Sequence, residues 1–160
     1  EERAMLIAWL DYQRHSILHK VEGLTDEQAR WTPAAGANSL LGIVYHLGRV
    51  EHGWFQACFE GEERIPAPSW AVEGDDDWDL HPDGSIGLDD AIKFYKSQWA
   101  RGNEIARAAG SLDDVGAFRT CEERGITLRW ILIHMIEETA RHAGHADITR
   151  ELIDGSTGMI

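Results

Sequence analysis

Four side chains able to bind a metal ion recur at helical spacing near the C-terminal end of the chain. They are His134, Glu138, His142 and His145, in Trp130-Ile-Leu-Ile-His-Met-Ile-Glu-Glu-Thr-Ala-Arg-His-Ala-Gly-His. Offsets of four, four and three residues put all of them on one arc of a helix. That arc also carries Ile131 and Met135, so it faces a core rather than solvent. A Glu and a His four residues apart bring a carboxylate oxygen and an imidazole nitrogen within reach of one ion. Two ligands on one helix seldom hold a metal, so a third must come from a neighbouring element. His46 fits, because it borders an apolar arc beside Ile43 and Val50. His46, Glu138 and His142 make a His₂Glu set with open positions, suited to zinc, iron, nickel or manganese. Spacing alone leaves the set open, since His145 or His134 could replace Glu138. A ferritin-like di-metal centre would need two Glu-x-x-His pairs and two further glutamates, and the His46 segment has no such pair. His15, His19, His52 and His81 read as surface or hydrogen-bonded residues, with His52 turned away from the apolar stripe.

The elements that must position these residues are helical. Ala4 to Val21 is amphipathic and stops before Gly23. Pro33 and Gly36 mark a loop, after which Ser39 caps a second helix running to about Glu60, before Gly61. Its apolar positions Leu40, Ile43, Val44, Leu47, Val50, Trp54 and Cys58 follow three/four spacing. From Ile65 to Leu88 prolines and glycines forbid a long helix, and Asp75-Asp76-Asp77 and Asp79 crowd around Trp78. An acid run of this kind reads as solvated loop, with a lid over a site as the lesser reading. It lacks the ligand spacing, central Gly and terminal Glu of a calcium loop. A third helix starts at Asp89 or Asp90 and ends near Gly110, and the fourth spans Thr127 to Leu152. The expectation is an all-α four-helix bundle, one domain over 1–160, with a long acidic loop between the second and third helices. Trp54, Trp99 and Trp130 are expected in its interior.

Composition narrows the function. A formal net charge of -13 disfavours binding to nucleic acid or to anionic lipid, both of which need Lys and Arg. No apolar run reaches the length of a membrane span. The two cysteines, Cys58 and Cys121, form neither a disulfide framework nor a CxxC pair. Cys58 reads as a small buried apolar residue, and a reducing cytoplasm is expected.

Leu40-Leu-Gly-Ile-Val-Tyr-His46-Leu-Gly-Arg-Val-Glu51, with His134 to Asp147 far downstream, resembles the DinB-like family of bacterial four-helix metalloproteins. The nearest branch is the one known in actinobacteria as mini-circle proteins. Trp31-Thr-Pro, Ser39-Leu-Leu-Gly, Leu128-Arg-Trp and the tail from Arg150 to Gly158 agree, so the resemblance spans nearly everything but the acidic insertion. It implies an up-up-down-down bundle with a metal between the second and fourth helices, held by His46, Glu138 and His142. Many relatives have His where this chain has Glu138, and the Glu form resembles the mycothiol-dependent maleylpyruvate isomerase. Many carry Gln where this chain has His145, which implies a second-shell or substrate-facing role for His145. The resemblance further implies a metal-dependent transferase, zinc foremost, that adds a thiol such as mycothiol to an electrophile in detoxification or stress defence. Its alternatives are a non-catalytic metal-containing binding or stress-response protein and a thiol-dependent isomerase. Small-molecule thiol and electrophile would be its partners, and relatives suggest a homodimer. Arg129, Arg141 and Arg150 are candidates for a substrate carboxylate or for pairing with surface acids.

Overall fold

The computed structural model describes residues 1–75 and 77–158; Asp76, at the centre of the acid run, and Met159 and Ile160 lie outside the described residues. Four long helical stretches form the frame. They are α1 (Glu2–Val21), α3 (Leu40–Glu51) with its π-helical continuation (His52–Glu60), α4 (Leu88–Ala108) and α6 (Leu128–Asp154). The short helices α2 (Asp26–Arg30) and α5 (Arg119–Glu123) and a 3₁₀ turn (Trp78–Leu80) sit in the connections. Among the described residues there is no strand, only an isolated bridge between Val115 and Thr127. No helix is long and apolar enough to cross a membrane. The all-α bundle expected from the sequence is present.

Side-chain caps fix where the two site-bearing helices begin. The Ser39 hydroxyl accepts from the Gly42 amide at 3.0 Å, and Thr127 accepts from the Trp130 amide at 3.2 Å. Gly61 and Gly155 end the π-helix and α6 with φ of 77° and 78°, a left-handed conformation that favours glycine.

The core is two apolar clusters separated by a charged layer. One gathers Leu6, Ile7 and Leu10 of α1, Phe55 and Cys58 of the π-helix, Ile105 of α4 and Leu128 to Met135 of α6. The other gathers Ile17 and Val21, Leu40 to Leu47, Leu88 to Tyr95, and Ala143 with Ala146. Between them Arg14 and Glu51, both fully buried, form a two-pronged ion pair with both bonds at 2.6 Å. Arg14 also donates to Asp11 at 2.8 Å and to Asn103 at 2.9 Å, so four of its five guanidinium N–H groups have partners. Burial pulls the Arg14 pKa down, but the Glu51 carboxylate more than offsets it and the value stays raised.

The same two clusters give the helix directions. α1 and α6 run from the first cluster to the second, while α3 and α4 run back. Two parallel pairs therefore pack against each other, in the chain order up, down, down, up rather than the expected up, up, down, down. The cause is the strap 61–87, which carries the chain back along the bundle so that α4 starts where α3 started.

Two local expectations are corrected. Cys58 and Cys121 form a disulfide that ties the π-helix to α5, across a sequence separation of 63. Neither lies in a motif that announces the pair. Trp130 is 40% exposed, and Trp54 and Trp99 are only partly buried, so none of the three fills the interior. His52, read as a surface or hydrogen-bonded residue off the apolar stripe, is buried and hydrogen-bonded: it lies beneath the strap, with its Nε2 3.2 Å from the Ile65 amide nitrogen and 3.0 Å from the Glu63 carbonyl oxygen.

Candidate metal centre

α3 and α6 cross so that His46 meets Glu138 and His142. The Glu138 carboxylate oxygen Oε1 lies 3.1 Å from His142 Nε2 and 3.4 Å from His46 Nε2. The two imidazole rings are 4.9 Å apart, centre to centre. One ligand atom from each of the three residues falls within 4.8 Å of the others, the one such His/Cys/Asp/Glu group among the described residues. His142 is buried, and His46 and Glu138 are partly open to solvent.

The strap contributes a fourth member. His46 Nδ1–H donates to Asp79 Oδ1 at 2.8 Å, with Arg49 Nε 3.9 Å from the other Asp79 oxygen. A carboxylate behind an imidazole holds the ring in one orientation and one tautomer, with Nε2 directed at the site. The strap reaches this position because the 3₁₀ turn lies against α3 at Gly42, where a Cβ would overlap the Leu80 carbonyl oxygen. Asp79 and Leu80 are buried, so this part of the acidic segment is docked, not solvated; Asp77 is exposed as expected.

The charges of these side chains depend on one another. Hydrogen bonds from His142, and then from His46, hold the Glu138 carboxyl far below the usual carboxylate range against the opposing effect of burial. Burial pulls the His46 pKa down, but its bonds to Asp79 and Glu138 outweigh that and raise it to about 9. An imidazolium clamped between two carboxylates is a site with a proton where a cation would sit.

The residues fit a divalent cation in donor type and in spacing. With metal–ligand bonds of about 2.0–2.2 Å, neighbouring donors of a tetrahedral site stand about 3.3–3.6 Å apart. Two of the three donor separations, 3.1 and 3.4 Å from Glu138, are close to that edge, and the third lies within 4.8 Å. Two nitrogens and one carboxylate suit borderline metals such as zinc, and leave room for a fourth ligand from solution.

The other sequence candidates lie outside the trio. The His145 ring is exposed and meets His142 edge-on at 5.9 Å. His134 stacks on Trp130 at 4.9 Å and touches Trp54 at 4.8 Å. Arg129, Arg141 and Arg150 pair with acids: Arg129 with Glu2 and Asp113, Arg141 with Glu137, and Arg150 with Asp154. Asp79 was missed by sequence reasoning, because nothing in an acid run distinguishes the one carboxylate that docks.

Comparison with known proteins supports this placement in a fold and a family. The fold resembles a solved structure described as a conserved protein of a locus from Enterococcus faecalis, with a TM-score of 0.73. That chain is 14% identical, and the match covers 96% of this chain and 97% of the other. None of the curated proteins matches. A family model described as mycothiol-S-transferase matches residues 5–155, nearly the whole chain, and the protein belongs to that DinB-like family.

Proposed function

We propose that the protein is a metal-dependent transferase that joins a low-molecular-weight thiol, mycothiol in first place, to a small electrophile. The observation that carries this reading is the convergence of His46, Glu138 and His142, with Asp79 fixing His46 from behind. Membership of a family named for thiol transfer supplies the reaction class.

A bound divalent cation, zinc foremost, lowers the pKa of a coordinated thiol and so supplies a thiolate near neutral pH. The chain's own residues do the rest. Asp79 takes the His46 Nδ1–H hydrogen bond and leaves Nε2 free to act as a donor atom. Glu138 stays ionised because two imidazoles hydrogen-bond to it, and its negative charge offsets that of a cation. Cys58 and Cys121 are bonded to each other, so the attacking sulfur comes from the cosubstrate. In the reaction the thiol sulfur forms a bond to an electrophilic carbon, and the thiol proton leaves to solvent. The displaced group departs with its electron pair, or the electron pair of an opened double bond takes up a proton.

The test joins metal analysis to thiol consumption. The purified protein is expected to hold about one metal ion per chain. It should consume mycothiol in the presence of a generic electrophile, and lose both properties when His46, Glu138 or His142 is changed to Ala. Metal content that survives all three changes would sink the site. A metal-loaded protein inert toward a panel of thiols and electrophiles would favour a non-catalytic binding protein.

A further inference from the structure

A cleft of about 400 Å³ opens beside the metal centre and shares Asp79 with it. It lies between the π-helix and α5, with Trp54 and Trp78 and the Cys58–Cys121 disulfide among its lining. Its volume is that of a small-molecule site. The donor trio does not line it. The buried Asp79, 2.8 Å from His46, is the link between cleft and trio.

Two arginines of this cleft lack a side-chain partner, a state that Arg107 shares elsewhere. In a chain with a net charge of -13, arginines elsewhere are mostly matched to acids: Arg14 to Glu51, Arg101 to Glu62, Arg119 to Glu123, and likewise Arg129, Arg141 and Arg150. Arg64 and Arg124 have no ion pair or hydrogen bond with any described residue, and both border this cleft. Arg49 lies along the same cleft, anchored to the Ile65 carbonyl at 2.7 Å with its guanidinium 4.5 Å from the Trp78 ring centre. Two unmatched guanidiniums lining one aromatic-walled cleft are suited to an anion. Asp79 does not cancel them. Its oxygens face His46 and Arg49, and it is buried, while Arg64 and Arg124 are exposed.

We propose that this cleft binds a small organic anion, at a site separate from the metal centre. Its carboxylate would sit between Arg64 and Arg124, and its apolar or aromatic body against Trp54 and Trp78. The cleft meets the donor trio only through Asp79, on the Nδ1 side of His46 and away from the metal-facing Nε2. This assignment is independent of the transferase reading.

Binding of benzoate tests it without thiol or turnover. Trp54 and Trp78 line the cleft, so intrinsic fluorescence reports occupancy, and the titration is run on the full chain with and without added zinc. Saturable benzoate binding is expected, weakened by added salt, with benzamide of the same shape at least about tenfold weaker. Arg64→Ala with Arg124→Ala should weaken benzoate by about tenfold or more, while Lys96→Ala on α4 leaves it unchanged. All three side chains are exposed, so an unchanged thermal midpoint verifies that the variants are folded. Equal binding of benzoate and benzamide, or an unaffected double variant, would overturn the proposal. So would inorganic phosphate displacing benzoate at equal concentration, since the cleft would then read charge alone. A protein that binds benzoate but consumes no thiol refutes the transferase reading and leaves the anion site standing.

Discussion

Replacing Asp79 by Asn should have an effect on metal affinity that depends on pH. Asp79 acts on His46 in two opposing ways. With metal bound, a carboxylate behind a ligating imidazole raises its basicity, and losing such a partner weakens metal binding by about 10–100-fold. Without metal, the same carboxylate helps hold the His46 pKa at about 9. A cation must then displace that proton at pH 7.5, which lies 1.5 units lower and weakens apparent binding by a factor of about 30. The Asp79→Asn change would release part of that penalty, though not all, because Glu138 still faces Nε2 at 3.4 Å. The two effects nearly cancel near pH 7.5, so the variant should lie within about fivefold of the parent there. At pH 9.5 the parent carries little excess proton, and the full loss of about 10–100-fold should emerge. Zinc titration against a chelator of known affinity, at both pH values, reads this directly. The parent's affinity should also rise tenfold per pH unit up to about 9 and then level off, with the break lower in the variant. Equal losses at the two pH values would refute the coupling, and no loss at pH 9.5 would refute a metal role for His46.

Other perturbations follow from the frame. Glu51→Leu strands Arg14 in the bundle centre and should cost about 3–5 kcal/mol, a fall of about 10 °C in Tm, with much of it recovered in Arg14→Met with Glu51→Leu. A double variant as unstable as the sum of the singles would contradict this. Gly42→Ala forces a methyl into the Leu80 carbonyl. It should destabilise the protein by about 1–3 kcal/mol in urea and also weaken zinc binding, because the displaced turn carries Asp79. Unchanged zinc affinity in that variant would show that the turn does not position Asp79. Reduction of the Cys58–Cys121 bond, whose sequence separation is 63, should lower stability by about 4 kcal/mol if chain entropy governs it. Coincident urea curves with and without reductant would discount it.

Glu138 and His142 were legible because helix geometry alone sets their spacing. His46 was legible because it borders the apolar arc of α3. Asp79 was not, since its position depends on a strap that docks far from its chain neighbours. Gly42 held a hint of that contact: a glycine inside an otherwise apolar helix costs about 1 kcal/mol and often marks a close backbone approach. Arg14 falls on the same arc as Leu10, Ile17 and Val21, so its spacing pointed inward, but nothing local named Glu51 as its partner. The π winding of His52–Glu60 was not legible, because the apolar period of the segment conceals it. The helix directions depend on where the strap leads the chain, and short-range patterns do not encode that path.

The disulfide also changes what a cut in the chain would mean. Residues 58 to 121 form a covalent ring that holds the strap, α4 and the approach to α5. Hydrolysis of a peptide bond anywhere in 61–87 opens this ring and releases nothing. The piece carrying α1 and α3 stays joined through sulfur to the piece carrying α4 and α6. A nicked molecule would keep its mass apart from one added water, run as one band until reduced, and then separate into two.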